Sequence, residues 1–510
     1  MPFFKPPKMA GVRRSMAAGM LALVAGLALL PAQAQLPTLG DGNEMSLAAE
    51  RKIGDQIARE IYRDPDYVDD PVLQEYTQDI WQSLLAAARQ RGELPTELDE
   101  RFAWDVLLLR DRTVNAFALP GGYMGVHLGL IGIVTSRDEL ASVLAHELSH
   151  ITQRHIARMQ TKQSRQTPWM IGAMILGALA ASRNPNAANA VVMGGQAAIV
   201  QNQLNFSRDM EREADRIGYG VMTQAGFAPQ GFVSMFDKLH QANRLNDNGA
   251  FPYLRSHPLT TERIADMQAR LPLDGKAAPP VTTLAHAMLA ARARVLANPA
   301  ADALRSWAGE PDGASFSSLD APRRAASLYA AVLASVRQRE FTQARRFLGR
   351  LAPLVETDAD GARQVRLLVS EVAWAAGDAE HSLAVLGTDM SHRPEMLLAA
   401  QARIRLGGAA EVAQQLQGWV TTHPRDAGAW QSLAAAHTAQ GQTLRAIRDE
   451  AEVRVTQLDY AAAVDRLKAA QNLVRRGETG RQPADHIDAS IIDTRLRELE
   501  SRVREQALER

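Results

Sequence analysis

Between positions 45 and 63, apolar side chains at Ala49, Ile53, Ile57 and Ile61 recur every fourth residue, the spacing that lines one face of a helix. The pattern then changes. Positions 102–109 form a nearly unbroken apolar run that predicts a buried strand, and 115–119 predicts a second. Pro120-Gly121-Gly122 signals a turn and 123–126 a third strand, so the last two strands form a hairpin. Helices around a small sheet make this region α+β. Ser136-Arg137-Asp138-Glu139 has the form of a capping box, in which the hydroxyl and the carboxylate each satisfy a free backbone N–H. Leu140, Leu144, Leu148 and Ile151 mark the apolar stripe of the helix that follows. A later helix is predicted over 206–225, with Gly226 as its stop and Pro229 beyond.

Two uncharged apolar arms, 167–181 and 187–200, are separated by Arg183-Asn184-Pro185-Asn186. Neither reaches the ~20 residues that span a bilayer. They read either as a pair of buried helices or as a hairpin over 168–200 that dips into a membrane or packs on a membrane partner. After about Gly275 the chain turns to Ala, Leu, Arg and Gln in helical periodicity with short breaks. Trp430, Leu433, Ala434, His437, Gly441 and Ala446 follow a tetratricopeptide spacing, with weaker copies over 329–348, 367–383 and 460–473.

A chain of 510 residues exceeds one ordinary core and predicts two or three domains. Its 57 basic and 57 acidic residues balance, so no field draws it to nucleic acid. Residues 1–34 read as a cleaved signal peptide: Lys5, Lys8, Arg13 and Arg14, then an apolar run over 16–30, then Pro31 and Ala32-Gln33-Ala34 before Gln35. Losing those four bases leaves the remainder about four charges negative. There is no cysteine, so any zinc falls to His and carboxylate ligands.

His146-Glu147-Leu148-Ser149-His150 supplies them. Residues four apart share a helix face, so both imidazoles reach one ion, and Glu147 beside the first can hold the attacking water. A catalytic zinc needs a third protein ligand. His155, five residues past His150, reads as a solvated or structural histidine. The better source is Ser207-Arg208-Asp209-Met210-Glu211-Arg212-Glu213-Ala214-Asp215. Glu211 and Asp215 share a face, Glu211 to ligate and Asp215 to accept the second N–H of a ligand imidazole. Glu213 points away and reads as a solvated surface charge.

HELSH followed by this S-R-x-x-E-x-E-A-D segment resembles the HtpX and CAAX prenyl protease family of zinc metallopeptidases, the gluzincins. A peptidase followed by tetratricopeptide-like repeats is most similar to that family's soluble periplasmic members. The likeness is specific across 113–160 and 205–265 and loose in the repeats. It implies one Zn2+ per chain on His146, His150 and Glu211, with Glu147 as the base and Asp215 in support. Val114-Asn115-Ala116-Phe117 matches the family's V-N-A-F strand beside the cleft, and Asn115, Ala116 and Phe117 read as an edge to which an extended substrate adds as a β-strand. Arg255-Ser256-His257-Pro258 matches its S/T-H-P segment. There His257 is either a restraining fourth ligand or an oxyanion stabiliser; the residues alone also allow an ordinary helix-start histidine. The expected fold is an α+β zincin-like metallopeptidase domain over 35–275, mainly helical with a small sheet, followed by an all-α tetratricopeptide-repeat solenoid over 276–510.

The function so implied is periplasmic zinc-dependent endopeptidase action in quality control. Its substrates are unfolded or misassembled outer-membrane β-barrel proteins, and the repeats meet the assembly machinery. The alternative is a chaperone or scaffold that acts mainly through the repeats with little cleavage.

Overall fold

The computed structural model describes residues 45–162, 207–244, 250–271, 281–477 and 483–507. The signal peptide read over 1–34 and the apolar arms read over 168–200 lie outside the described residues. Among the described residues no helix is long and apolar enough to cross a membrane.

The described residues from Met45 on form one compact unit. Ser46 caps helix α1 (Leu47–Arg63) by accepting from the Ala49 N–H at 3.2 Å. Asp70 caps α2 (Pro71–Gln90) in the same way, with Pro71 at the first turn, where no N–H is needed. A short helix α3 (Thr96–Arg101) leads into β1 (Asp105–Leu109), β2 (Ala116–Leu119) and β3 (Tyr123–His127). The strand order is β1-β3-β2. β3 runs parallel to β1 and antiparallel to β2, with Phe117 opposite Gly125. A Cβ at Gly125 would fall 2.2 Å from the Phe117 ring, so glycine lets that ring lie across β3. β2 is left at the edge of the sheet.

Then come α4 (Leu128–Ile133), α5 (Arg137–Thr152), α6 (His155–Lys162), α7 (Arg208–Gln224), α8 (Gln230–Arg244), α9 (Tyr253–Ser256) and α10 (Thr261–Ala269). At the start of α5 the Ser136 hydroxyl accepts from the Glu139 N–H as expected. The Glu139 carboxylate, however, reaches back to the N–H of Thr135 rather than to that of Ser136. The sequence marks one apolar stripe on α5, but the helix is buried on every side from Glu139 to Thr152. It lies between the sheet, α7 and α8, and this places its polar residues deep in the molecule.

From Leu284 onward the described elements are helices and short 3-10 turns: α11 (Leu284–Ala297), α12 (Ala301–Gly309), α13 (Ala321–Arg337), α14 (Phe341–Leu351), α15 (Ala359–Ala375), α16 (Ala379–Ala384), α17 (Arg393–Arg405), α18 (Ala409–Thr422), α19 (Ala427–Ala439), α20 (Thr443–Thr456), α21 (Tyr460–Arg475) and α22 (Pro483–Ala507). From α17 on, successive helices pack on one another. Gly441, at φ 71°, makes the left-handed turn between α19 and α20, with Leu433, Ala434 and Ala446 buried around it.

The main core gathers Trp81, Leu84, Leu144, Leu148, Ile217 and Phe232, and also Leu289, Leu367 and Leu398 from the later helices. Where the two parts meet, arginines from the later helices pair with acids from the earlier elements. Arg292 holds Asp70 at 2.7 Å and Glu371 at 2.9 Å; Arg363 holds Glu75 at 2.7 Å. Arg393 lies 2.9 Å from Asp69 and 3.0 Å from Asp426, and Arg425 3.0 Å from Asp105. The joint, without disulfides, is apolar packing fastened by these guanidinium–carboxylate pairs.

Candidate metal centre

On α5, His146 and His150 lie one turn apart with their Nε2 atoms 3.0 Å from each other. α7 crosses beside them. A Cβ at Gly218 would sit 3.1 Å from the Ala145 backbone, so a hydrogen at that position is what lets the helices approach this closely. The approach brings Glu211 into range: its Oε1 is 3.5 Å from His150 Nε2 and its Oε2 is 3.5 Å from His146 Nε2. His257, just past α9, completes the group, with Nδ1 3.3 Å from His146 Nε2 and 3.0 Å from Glu211 Oε1.

All four residues are buried, and their ligand atoms lie within 4.8 Å of one another. A tetrahedral zinc with bonds of about 2.0–2.1 Å separates its ligand atoms by about 3.3–3.4 Å. Four of the six separations, 3.0–3.5 Å, bracket that value. The set is nitrogen and oxygen, borderline ligands that suit zinc. Lone pairs crowded this closely and away from water repel unless a cation or a proton sits among them. The cluster is able to hold one metal ion and fits Zn2+.

The surroundings prepare each group. Asp215 Oδ1 lies 2.9 Å from His146 Nδ1, which leaves His146 Nε2 to face the cluster. Burial alone would lower the His146 pKa, but Asp215 and Glu211 outweigh it and push it up to about 9. Burial, with the charge of His146, holds His150 well below the usual imidazole range, in the neutral form that can ligate. Burial would raise the carboxyls of Glu211 and Asp215. His257 and His146 overcome this at Glu211, and Arg263 and His146 at Asp215, so both are held low and ionised.

Glu147 stands between β2 and the ligand set. Its Oε2 accepts from the Ala118 N–H at 2.9 Å, and its Oε1 is 3.3 Å from His257 Nε2. In the antiparallel register, Ala116 and Ala118 turn their peptide groups away from β3 toward the free edge. The expected substrate strand, Asn115-Ala116-Phe117, therefore runs beside the expected base. Asn115 precedes β2, and its Oδ1 is buried without a hydrogen-bond partner among the described residues.

Of the two readings of His155, solvated or structural, the structure has the structural one, and Glu213 is its partner. Glu213 is a partly exposed charge that is also paired: it lies 3.0 Å from His155 Nε2 and 2.9 Å from Arg158 Nη1. His155 is wholly buried, with its Nδ1 2.8 Å from His150 Nδ1. Arg263 was not singled out in the sequence. It grips Asp215 through Nε at 2.6 Å and NH2 at 2.8 Å and meets Glu211 at 2.7 Å. Its signal was indirect: two ionised acids set beside buried imidazoles need a cation, and Arg263 follows the His257-Pro258 segment on α10. Tyr253 was also missed. It stacks on His257 at 4.6 Å, and its N–H is donated to the Val114 carbonyl.

A buried histidine pair on one helix, a carboxylate from a second and an acid beside an open strand edge define a metal-dependent hydrolase. Residues 74–271 match the model of peptidase family M48. A putative beta-barrel assembly-enhancing protease of Vibrio cholerae is 28% identical over 492 residues, covering 93% of this chain and 96% of that protein. The beta-barrel assembly-enhancing protease of Escherichia coli K12 is 27% identical over 482 residues, 92% of each chain. The mitochondrial metalloendopeptidase OMA1 of Saccharomyces cerevisiae is 28% identical over 200 residues, 38% of this chain and 55% of that protein. Residues 74–271 are a peptidase family M48 domain, and the chain is a zinc metallopeptidase.

Proposed function

We propose that the chain is a periplasmic endopeptidase of protein quality control that cleaves misfolded or stalled outer-membrane β-barrel proteins and assists their assembly. The observation that carries this is the placement of Glu147 between the convergent donors and the free edge of β2. The names of full-length relatives from two bacteria support the substrate class.

In this reading His146, His150 and Glu211 hold the ion and Glu147 is the general base. A zinc ion there would polarise a carbonyl and lower the pKa of water to about 7. An unfolded segment adds along β2 as an extra strand, pairing with the outward peptide groups near Asn115, Ala116 and Phe117. Such pairing needs an extended chain, so folded proteins are spared. Glu147, fixed by the Ala118 N–H, takes the proton of the attacking water and returns it to the leaving amine. Asp215 keeps His146 in its ligating tautomer, and Arg263 keeps Asp215 ionised. His257, within 3.0 Å of Glu211 and 3.3 Å of both His146 and Glu147, acts as a fourth ligand that restrains resting activity and must swing away for substrate. Residues 1–34 direct export, 35–275 form the peptidase domain, and 276–510 form a tetratricopeptide-type solenoid that meets the assembly machinery.

A second reading, a scaffold with little cleavage, draws on a groove of about 440 Å³ where Asp69 and Pro71 face Trp374, Leu397 and Ile404. The test for both is degradation of an unfolded β-barrel protein by the purified mature chain, beside His257→Ala. Zinc-dependent cleavage that rises in the variant supports the peptidase reading. No cleavage by either, with binding retained, leaves the scaffold.

A further inference from the structure

We infer that Glu213 and His155 form a hydrogen-bonded relay that fixes the His150 imidazole for metal binding, so that α7 sets both histidines of the pair. It does so directly at His146, through Asp215, and at one remove at His150. The inference rests on His150 being a ligand, as in the reading above.

The proton positions follow from the chemistry of the partners. A carboxylate only accepts, so His155 Nε2 must carry the hydrogen toward Glu213 Oε2 at 3.0 Å. Arg158 NH1, 2.9 Å from the same oxygen, keeps that carboxylate charged. A neutral His155 then presents a lone pair at Nδ1. His150 Nδ1, 2.8 Å away, has to donate to it. This leaves the lone pair of His150 at Nε2, the atom that faces His146 and Glu211. The opposite tautomer would put a hydrogen on the ligating nitrogen. A ligand histidine gains orientation and basicity from such a partner.

The backbone is arranged to make the relay. α5 ends and the chain turns back at Arg154, a non-glycine residue held at φ 52°, in the left-handed region. Arg154 is held there by Glu50 at 3.0 Å and by the Met45 carbonyl. The turn starts α6 one residue later and folds His155 under His150. On α7, Glu213 is about 200° around the helix from Glu211. It therefore faces α6, where His155 and Arg158, three apart, share a side. The E-x-E-x-D spacing thus supplies one ligand and two supporting carboxylates that approach the pair from different directions.

The test measures zinc affinity of the full-length mature protein by competition with a chromophoric chelator, together with the unfolding midpoint of the zinc-free protein. His155→Phe fills the space without relaying and should bind zinc about 10- to 100-fold more weakly. Glu213→Gln, at a partly exposed position, should show a smaller loss of the same sign. His155→Gln, whose amide can both accept and donate, should recover part of the His155→Phe loss. The zinc-free midpoint should stay put throughout. Affinity within threefold of the parent for both His155→Phe and Glu213→Gln overturns the relay. So does a loss that only tracks a fall in zinc-free stability, since that marks packing. A parent protein that holds no zinc overturns the ligand reading and the relay together, a result read without any variant.

Discussion

Two of the places where the described residues bury charge are built on opposite terms. At the joint between the early elements and the later helices, each buried cation meets its acids: Arg292 sits between Asp70 and Glu371 and also reaches Tyr329, and Arg393 sits between Asp69 and Asp426. In the metal centre, three imidazoles and Glu211 point their lone pairs at one another across 3.0–3.5 Å, and Glu147 turns one oxygen to a backbone N–H and the other toward His257. At the joint the chain itself supplies the counter-charges. The centre is completed by something the chain does not encode. Paired buried charge marks architecture, and convergent buried lone pairs mark chemistry.

The largest effect that follows is on turnover. Glu147→Gln should lower hydrolysis of unfolded casein by about 10²–10⁴, the range for loss of a general base. Zinc content should be unchanged, and stability unchanged or slightly higher, because a buried charge is gone. Metal analysis and denaturant unfolding beside the activity assay check all three. Retained casein hydrolysis would remove Glu147 from the role of base.

The reverse pattern is expected at the joint. Arg292→Ala strands Asp70 and Glu371, and breaking a buried pair costs about 3–5 kcal/mol. Unfolding in urea should shift by that amount while turnover per folded molecule stays the same. Arg292→Met fills the volume but strands the same acids, so it should recover little. If Arg292→Ala proved neutral, the contrast between the two regions would fail.

Zinc should act on the centre as a ligand that favours the folded state. At free zinc 100 times its Kd the gain is about 2.7 kcal/mol. Chelation of the parent should lower the melting temperature accordingly, and chelation of Glu211→Ala, already short of a ligand, should change little. An equal response in both would move the third ligand off Glu211.

The regions also differ in how far the sequence disclosed them. His146, Glu147 and His150 are legible because a four-residue spacing has a geometric meaning on a helix, and Glu211 and Asp215 are legible by the same rule. The hairpin of β2 and β3 is announced by Pro120-Gly121-Gly122. The pairing of Glu213 with His155 is not legible, because helical geometry turns Glu213 away from Glu211 and says nothing of what a second helix brings to meet it. Arg263 is tied to Asp215 across 48 residues and Arg292 to Asp70 across 222. Nothing local to an arginine on an Ala-rich helix distinguishes a buried clamp from a solvated charge. The tilt of α7 against α5 decides whether Glu211 reaches the pair, and it depends on Gly218, whose role appears only once Ala145 is seen opposite.

The smallest effect concerns acid. Asp426 caps α19 by accepting from the Ala429 N–H and pairs with Arg393. Burial would raise its pKa, but Arg393 outweighs burial and holds it below the usual carboxylate range. A depressed folded pKa stabilises above the unfolded value of about 3.9, and that contribution is lost as pH falls through the folded value. Asp69, on the same guanidinium, behaves oppositely: burial lifts its pKa despite Arg393, so protonation there favours the folded state. The two slopes partly cancel in the parent, and only a comparison isolates one. Asp426→Asn keeps the cap but removes the charge. It should cost about 1.5–3 kcal/mol at pH 7, the worth of a charged hydrogen bond. The gap to the parent in urea unfolding should narrow as pH falls from 4 toward 2. A gap that does not change with pH would show that Arg393 takes its compensation from Asp69 alone, and that the joint is fastened on one side only.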